Sequence, residues 1–229
     1  RYGRNAEVRI TQADTLTQRN NSHCNRRISI YDRVIANPPY GGWLDYEKRK
    51  LLSKLYPNLY VKETYTLFLY LCVQLLRDKG ILVFIVPDTF LNLHRHTSLR
   101  RYLLTTTKIR EVCLFPSCFF PGVNFGYSNL CVITLEKCTT EKRCLDNVFK
   151  VVTGLRSVGE LALLAKGPTN QHSVFKFKQR EVYGNIGHAL FISEDPRTTD
   201  VINRCTVRIG DIAHCVTGFY SGNDKKYLR

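Results

Sequence analysis

Residues 81–87 read ILVFIVP, an unbroken apolar run that stops at a proline. A strand with one wet face alternates polar and apolar residues. A continuous β-branched and aromatic run marks a strand buried on both faces, as in a parallel sheet. Such a strand needs paired neighbours and covering helices, and the flanking sequence supplies both. Residues 64–79, TYTLFLYLCVQLLRDK, place Leu67, Tyr70, Leu71 and Leu75 at helical spacing, with basic residues closing the last turn before Gly80. HTSLRRYLLTTT (96–107) predicts a second long helix, and a short one is expected around residues 45–55, before Pro57. YDRVIAN (31–37), IREVCLF (109–115) and SNLCVITLEK (128–137) predict strands, and EVRITQAD (7–14) a short strand ending in an acid.

Alternation of helix and strand to about residue 137 argues for an open α/β sheet with helices on both faces. Ligands of such sheets bind beyond the carboxyl ends of the strands. Asp14, residues 37–40 and residues 87–88 all stand at such ends, which predicts one shared rim. Beyond residue 145 the pattern changes. NVFKVV and SVFKFKQ predict strands flanking a helix at VGELALLAK, and a helix follows at PRTTDVINRC. The terminal VRIGDIAHCVTGFYSGNDKKYLR is strand-like, then rich in Gly, Asn and Lys. The expected organisation is a partial catalytic domain over 1–145, a connecting α/β segment over 146–205, and the start of a second region over 206–229. The chain contains no Met, so its sequence is expected to begin inside a longer protein.

The net charge is +15, from 34 Lys and Arg against 19 Asp and Glu. That excess favours a polyanionic partner, because bound cations release counterions condensed on phosphates. A hydrophobic fraction of 44% argues against a disordered chain. No apolar run reaches the roughly 18 residues of a membrane span, and no secretory signal pattern opens the chain. Nine cysteines, an odd number without a C-x-x-C pair, read as reduced and mostly buried thiols of a cytosolic protein. Cys138, Cys144 and the His23–Cys24 pair lack zinc-ligand spacing, so no metal is expected.

Strand 31–37 ends in Asn37, Pro38, Pro39 and Tyr40. A plain turn would explain this. The same four residues also suit methylation of an exocyclic amine. The amino nitrogen of adenine is a poor nucleophile because its lone pair is delocalised into the ring. Two fixed acceptors help as that nitrogen becomes tetrahedral and positive. Asn37 offers a side-chain carbonyl and Pro38 a backbone carbonyl. Pro39 fixes its own φ and holds the preceding residue extended. Tyr40 offers a stacking face, worth roughly 1–3 kcal/mol per base. This is positioning and electrostatic stabilisation, with no strong general base required.

YDRVIANPPYGG thereby resembles the catalytic motif of amino-methyltransferases that use S-adenosyl-L-methionine. The order of the following segments, TYTLFLYLCVQLLRDKGILVFIVPDTFL and LRRYLL, resembles the gamma-class DNA adenine-N6 methyltransferases of bacterial restriction–modification systems. CFFPGVNFGYSNLCVITLEK resembles the family's later motif beside the flipped base, and RIGDIAHCVTGFYSGNDKKYL the beginning of its target-recognition region. The resemblance implies a Rossmann-like methyltransferase sheet with its N-terminal part missing, followed by a target-recognition region. It implies S-adenosyl-L-methionine as cofactor, double-stranded DNA as partner and a prokaryotic cytoplasmic setting. It leaves room for nuclease or specificity modules in the same or a partner chain. Asn37 and Pro38 would accept from the target amine, and Tyr40 and Phe120 would contact the extruded adenine. Phe115, Phe119 and Phe125 are rivals for Phe120. Asp14 would bind the adenine amino group of the donor, with Thr15 where the family usually has a bulkier residue. The family's glycine-rich donor loop should precede Asp14, and residues 1–13 hold none.

Lys48, Arg49 and Lys50 are candidate DNA-backbone contacts or a solvated helix face. Lys225 and Lys226 lie in a segment that suits either a surface hairpin or DNA contact. His94 and His96 suit a solvated helix start or a phosphate contact, and Asp32 the start of its strand. Related enzymes use the same turn on RNA or on a protein glutamine. A non-catalytic nucleic-acid-binding fragment is the third possibility.

Overall fold

The computed structural model describes residues 10, 12–17, 31–41, 44–120, 129–163, 173–192, 196–207, 209–214 and 216. The chain divides into two compact units, Arg1–Leu190 and Phe191–Arg229.

The first unit is built on a six-stranded sheet flanked by helices. Its strands are β1 (Tyr31–Ala36), β2 (Leu76–Pro87), β3 (Thr107–Pro116), β4 (Asn129–Lys137), β5 (Val148–Thr153) and β6 (Ser173–Lys178), in the spatial order β1-β2-β4-β3-β5-β6. Its helices are α1 (Tyr46–Leu55), α2 (Thr64–Leu75), α3 (Thr97–Thr106), α4 (Glu141–Leu145), α5 (Val158–Leu163) and α6 (Gln179–Gly184). The second unit contains α7 (Pro196–Arg204) and α8 (Ile209–Ile212). The strand-like reading of the segment after residue 206 is corrected at Ile209–Ile212, which is one helical turn. Of the strand expected over 7–14, the described residues 10 and 12–14 are outside any strand.

The sheet is mixed rather than parallel. β1 and β2 run parallel, as do β3 and β5, but β4 is antiparallel to both β2 and β3, and β6 to β5. β4 follows β3 directly in sequence, and a strand returning beside its predecessor needs no crossover helix. The register joins Ala36 to Phe84, Phe84 to Ile133, Ile133 to Val112, and Val112 to Val151, on one face of the sheet. Phe84, Ile133, Val112 and Val151 are all buried. Leu103 and Leu104 of α3 and Val182 of α6 line one small apolar void with Ile133 and Phe149, which places both helices over this face. Along β2, Leu82, Phe84 and Val86 are buried while Ile81, Val83 and Ile85 are half-buried. The apolar run is thus covered fully on one side and in part on the other.

The long helix expected over 64–79 ends at Leu75, and RDKG becomes a bulged lead-in to β2. Pairing with β1 overrides helical propensity there: Tyr31 opposes Leu76, the register slips, and Arg33 opposes Ile81. Lys79 takes the bulge at a φ of 64°. A Cβ on Gly80 would lie 2.9 Å from the Arg77 carbonyl and 3.0 Å from that of Tyr31, so only glycine fits the closest approach. Asp32 forms an ion pair with Arg77 across the same slip, in keeping with a role at the strand start.

Among the described residues Cys72, Cys113, Cys118, Cys131, Cys138, Cys144 and Cys205 are free thiols. No group of three or more His, Cys, Asp or Glu among the described residues is placed to hold a metal ion. None of the described helices is long and apolar enough to cross a membrane.

Candidate active site

β1, β2 and β3 point the same way, so their carboxyl ends share one rim. β4 begins there, with Asn129 opposite Pro116 and Leu130 opposite Pro87. Residues 37–40, Asp88, residues 117–120 and Asn129 are thereby gathered along one edge. Along the turn, Asn37 and Pro39 are exposed while Pro38 and Tyr40 are buried. That alternation is the pattern of extended chain, which consecutive prolines enforce. Burial raises the Tyr40 hydroxyl above its ordinary pKa, with Cys131 of β4 adding to the effect. The Tyr40 ring is therefore seated against the sheet, at 9% exposure, rather than displayed to solvent.

Asp14 reaches the same region from the other side. Leu16 is buried with Leu52, Tyr56, Leu67 and Leu71 in a cluster formed by α1, α2 and the turn after α1. The Tyr56 hydroxyl donates to the Leu16 carbonyl at 3.0 Å. The Leu16 amide donates to Asp14 Oδ1 at 3.2 Å, and the Thr17 amide to the Asp14 carbonyl at 3.1 Å. The carboxylate is held by an apolar anchor two residues on.

Asp14, Leu16, Pro39, Leu44, Thr64 and Phe68 are among the walls of a cleft of about 700 Å³. Lys48 also lines it, with Nζ 2.8 Å from Asp14 Oδ2. The Lys48 hydrogen bond is the main reason that the Asp14 carboxyl is held below its ordinary pKa. A flat heteroaromatic ring with an amino group suits these walls: apolar side chains for its faces and a fixed carboxylate for its amine.

α2 stands between the turn and the rest of the rim. Thr64, its first residue, donates its hydroxyl to the Pro39 carbonyl at 2.8 Å. The Tyr65 hydroxyl is 3.0 Å from Thr89 Oγ1, in the 3₁₀ turn after β2. Glu63 Oε2 lies 3.0 Å from Nε2 of His96, which is buried between the Tyr60 and Tyr65 rings. Burial raises the Glu63 carboxyl, but His96, Tyr65 and Arg95 together outweigh it and lower the pKa. His96 is thus not part of a solvated helix start: its side chain is 1% exposed, while His94 is exposed. Asp88 is raised above its ordinary value by burial, against the hydrogen bond it shares with Asn129.

Phe120 follows a short 3₁₀ turn at the end of β3, with its ring 6.2 Å from that of Phe115. Phe119 stacks on Phe115 at 6.0 Å. Phe115 is buried, whereas Phe119 and Phe120 are half-buried, and Phe125 lies outside the described residues. Lys50 is exposed on α1, Arg49 is half-buried there, and Lys48 is engaged with Asp14. Lys225 and Lys226 also lie outside the described residues. Thr64 and Phe68 were not singled out from sequence, where both vanish into an apolar helix. Their signal is the spacing of four, which sets both on one face of α2.

A family model described as Eco57I restriction-modification methylase matches residues 5–120, just over half of the chain. The chain belongs to that family. The matched span holds Asp14, the 37–40 turn, α2 and Phe120. Type II methyltransferase M.AccI of Acinetobacter calcoaceticus is 32% identical over 87 residues, 36% of this chain and 16% of that protein. Type II methyltransferase M.BsuBI of Bacillus subtilis is 36% identical over 88 residues, 38% of this chain and 17% of that protein. The chain therefore spans about a sixth of the length of these curated relatives. In fold, the chain is similar to the methyltransferase subunit of a type I restriction-modification system from Streptococcus thermophilus. The TM-score is 0.52 at 18% identity, over 78% of this chain and 41% of that one. A modification subunit of a type I restriction enzyme from Vibrio vulnificus gives 0.50 at 18% identity, over 66% and 34%.

Proposed function

We propose that this chain carries the acceptor side and part of the donor side of a DNA adenine-N6 methyltransferase of a restriction–modification system, using S-adenosyl-L-methionine. One observation carries the reading: Asp14 and Pro39, far apart in sequence, wall the same cleft of about 700 Å³. Family membership and the names of the relatives support it.

The cleft fits the donor's adenosyl group. Asp14 would accept from its amino group, and Pro39, Leu44 and Phe68 would cover its ring faces. Bound there, the donor supplies an electrophilic methyl group on a sulfonium centre. The exposed Asn37 side chain and the Pro38 carbonyl accept from the two N–H bonds of the target amine. They draw its lone pair out of the ring and stabilise positive charge as it develops. Half-buried Phe120 would contact the extruded base, whose amine is out of reach inside a duplex, while the buried Tyr40 ring holds the turn against the sheet. Arg49 and Lys50 on α1, with Lys225 and Lys226, contact phosphates. Residues 206–229 begin the target-recognition region, and the setting is the prokaryotic cytoplasm.

The test is full-length protein with labelled donor, offered duplex DNA, RNA and protein acceptors separately. Label in adenine N6 of duplex DNA, lost in Asn37→Ala, is expected. Label confined to RNA or protein, absence of label, or an undiminished Asn37→Ala variant overturns the reading.

A further inference from the structure

Two consecutive prolines leave the 37–40 turn without main-chain donors of its own at positions 38 and 39. Its geometry must then be set by partners from elsewhere. The Pro38 carbonyl lies in the rigid peptide plane that joins residues 38 and 39. The next plane carries the Pro39 carbonyl and the Tyr40 amide. Only φ and ψ of Pro39 separate the two planes, and the pyrrolidine ring locks φ. A single soft torsion, ψ of Pro39, therefore decides where the Pro38 carbonyl aims relative to Tyr40.

Thr64 acts on that torsion. Its hydroxyl donates to the Pro39 carbonyl at 2.8 Å, and the residue is 6% exposed, so water does not readily replace the bond. The donor sits at the first turn of α2, and α2 is itself anchored on both sides of Thr64. Glu63 meets buried His96 at 3.0 Å, and Tyr65 meets Thr89 at 3.0 Å. Thr64 makes no capping bond for its own helix: Glu63 holds the N-cap position, and it is the Thr66 hydroxyl that bonds back to the Glu63 carbonyl at 2.7 Å.

We infer that Thr64 is a positioning residue for amine methylation: its hydroxyl pins ψ of Pro39 and so aims the Pro38 carbonyl at the target nitrogen. The inference rests on the function proposed above. The Pro38 carbonyl works only if fixed before the amine arrives, and small misplacements at a reacting centre cost large factors in rate. Thr64→Val keeps the shape of the side chain and removes the donor. Thr64→Ser keeps the donor.

Both variants are made in the full-length protein, beside wild type and Asn37→Ala. In Thr64→Val, kcat for methyl transfer is expected to fall about 10- to 100-fold. With kcat read at saturating donor, KM for duplex should stay within about threefold, since Thr64 lines the donor cleft but none of the groups proposed to contact DNA has changed. Thr64→Ser should recover most of kcat. A Thr64→Val enzyme with unchanged kcat at saturating donor, or one whose loss lies in KM for duplex, or a Thr64→Ser variant as impaired as Thr64→Val, overturns the inference. If wild type transfers methyl to no acceptor, the functional reading falls and the positioning claim is judged by hydrogen exchange. The Tyr40 and Gly41 amides should then exchange faster in Thr64→Val and at the wild-type rate in Thr64→Ser. Unchanged exchange in Thr64→Val overturns it.

Discussion

The hydroxyl of Tyr56, at the end of α1, donates to the carbonyl of Leu16 across 40 residues of sequence, at 3.0 Å and out of contact with solvent. Through that bond a core aromatic holds the segment that presents Asp14. Tyr56→Phe keeps the packing and strands a buried carbonyl, at a cost of roughly 1–2 kcal/mol. Urea unfolding of the variant should show that loss, and hydrogen exchange should quicken at the Leu16 and Thr17 amides. A variant with wild-type stability and exchange would show that Leu16 packing alone sets the turn.

Lys48 and Asp14 test the electrostatics of the cleft. The folded-state pKa of Asp14 is depressed, chiefly by the Lys48 hydrogen bond. The pair then stabilises the fold above the unfolded carboxylate pKa, and the contribution is lost as pH falls through the folded value. Both side chains are about two-fifths exposed, at 38% and 42%, so solvent and salt screen the pair to below about 1 kcal/mol. Lys48→Met should be slightly less stable than wild type at neutral pH and low salt, with the difference vanishing in acid. It should also free an Asp14 oxygen, so that a donor analogue binds more tightly by titration calorimetry. Weaker binding in Lys48→Met would assign the lysine to the ligand instead.

Arg100 locks α3 to its surroundings. Its guanidinium donates to the carbonyls of Phe90 and Leu93 at 2.7 Å and to that of Gly187 at 2.9 and 2.7 Å. Burial lowers its pKa to about 10, which leaves it charged at neutral pH. Arg100→Met should destabilise the fold by about 2 kcal/mol or more, since it strands one buried and two part-buried carbonyls. Arg100→Lys should recover little, because an ammonium lacks the planar fork. Thermal melts of the two variants decide the point.

The thiols divide by burial. Burial pushes Cys72 and Cys113 up to about 11 and Cys131 well above its ordinary value, whereas Cys118 and Cys205 are exposed. Under native conditions a maleimide should label Cys118 and Cys205 quickly and Cys131 only after unfolding. Mass spectrometry of labelled peptides would expose any reversal.

What sequence reading recovered was local. The 37–40 turn and the apolar run of β2 are legible because propensity and chemistry act within a few residues. What escaped it depends on distant partners. RDKG has helix-forming residues, but the slip against Tyr31 draws it into β2. His96 is polar at a helix start, yet it is buried against the Tyr60 and Tyr65 rings with Glu63 3.0 Å away. Asp14 was a plausible rim acid. Nothing in residues 12–17 announces that Leu16, Tyr56 and Lys48 hold it. The antiparallel course of β4 was equally silent, because burial patterns record depth and not direction.

The arrangement of strands also orders their assembly in time. β3 and β4 are near in sequence and pair antiparallel, whereas β1 and β2 must first close the long segment that holds α1 and α2. Closure entropy grows with loop length, and distant pairings are slow to form. In pulse-labelled refolding, amides of β4 are therefore expected to gain protection before those of β1. The strand that leads into the 37–40 turn would then be added to a sheet that β3 and β4 have already begun.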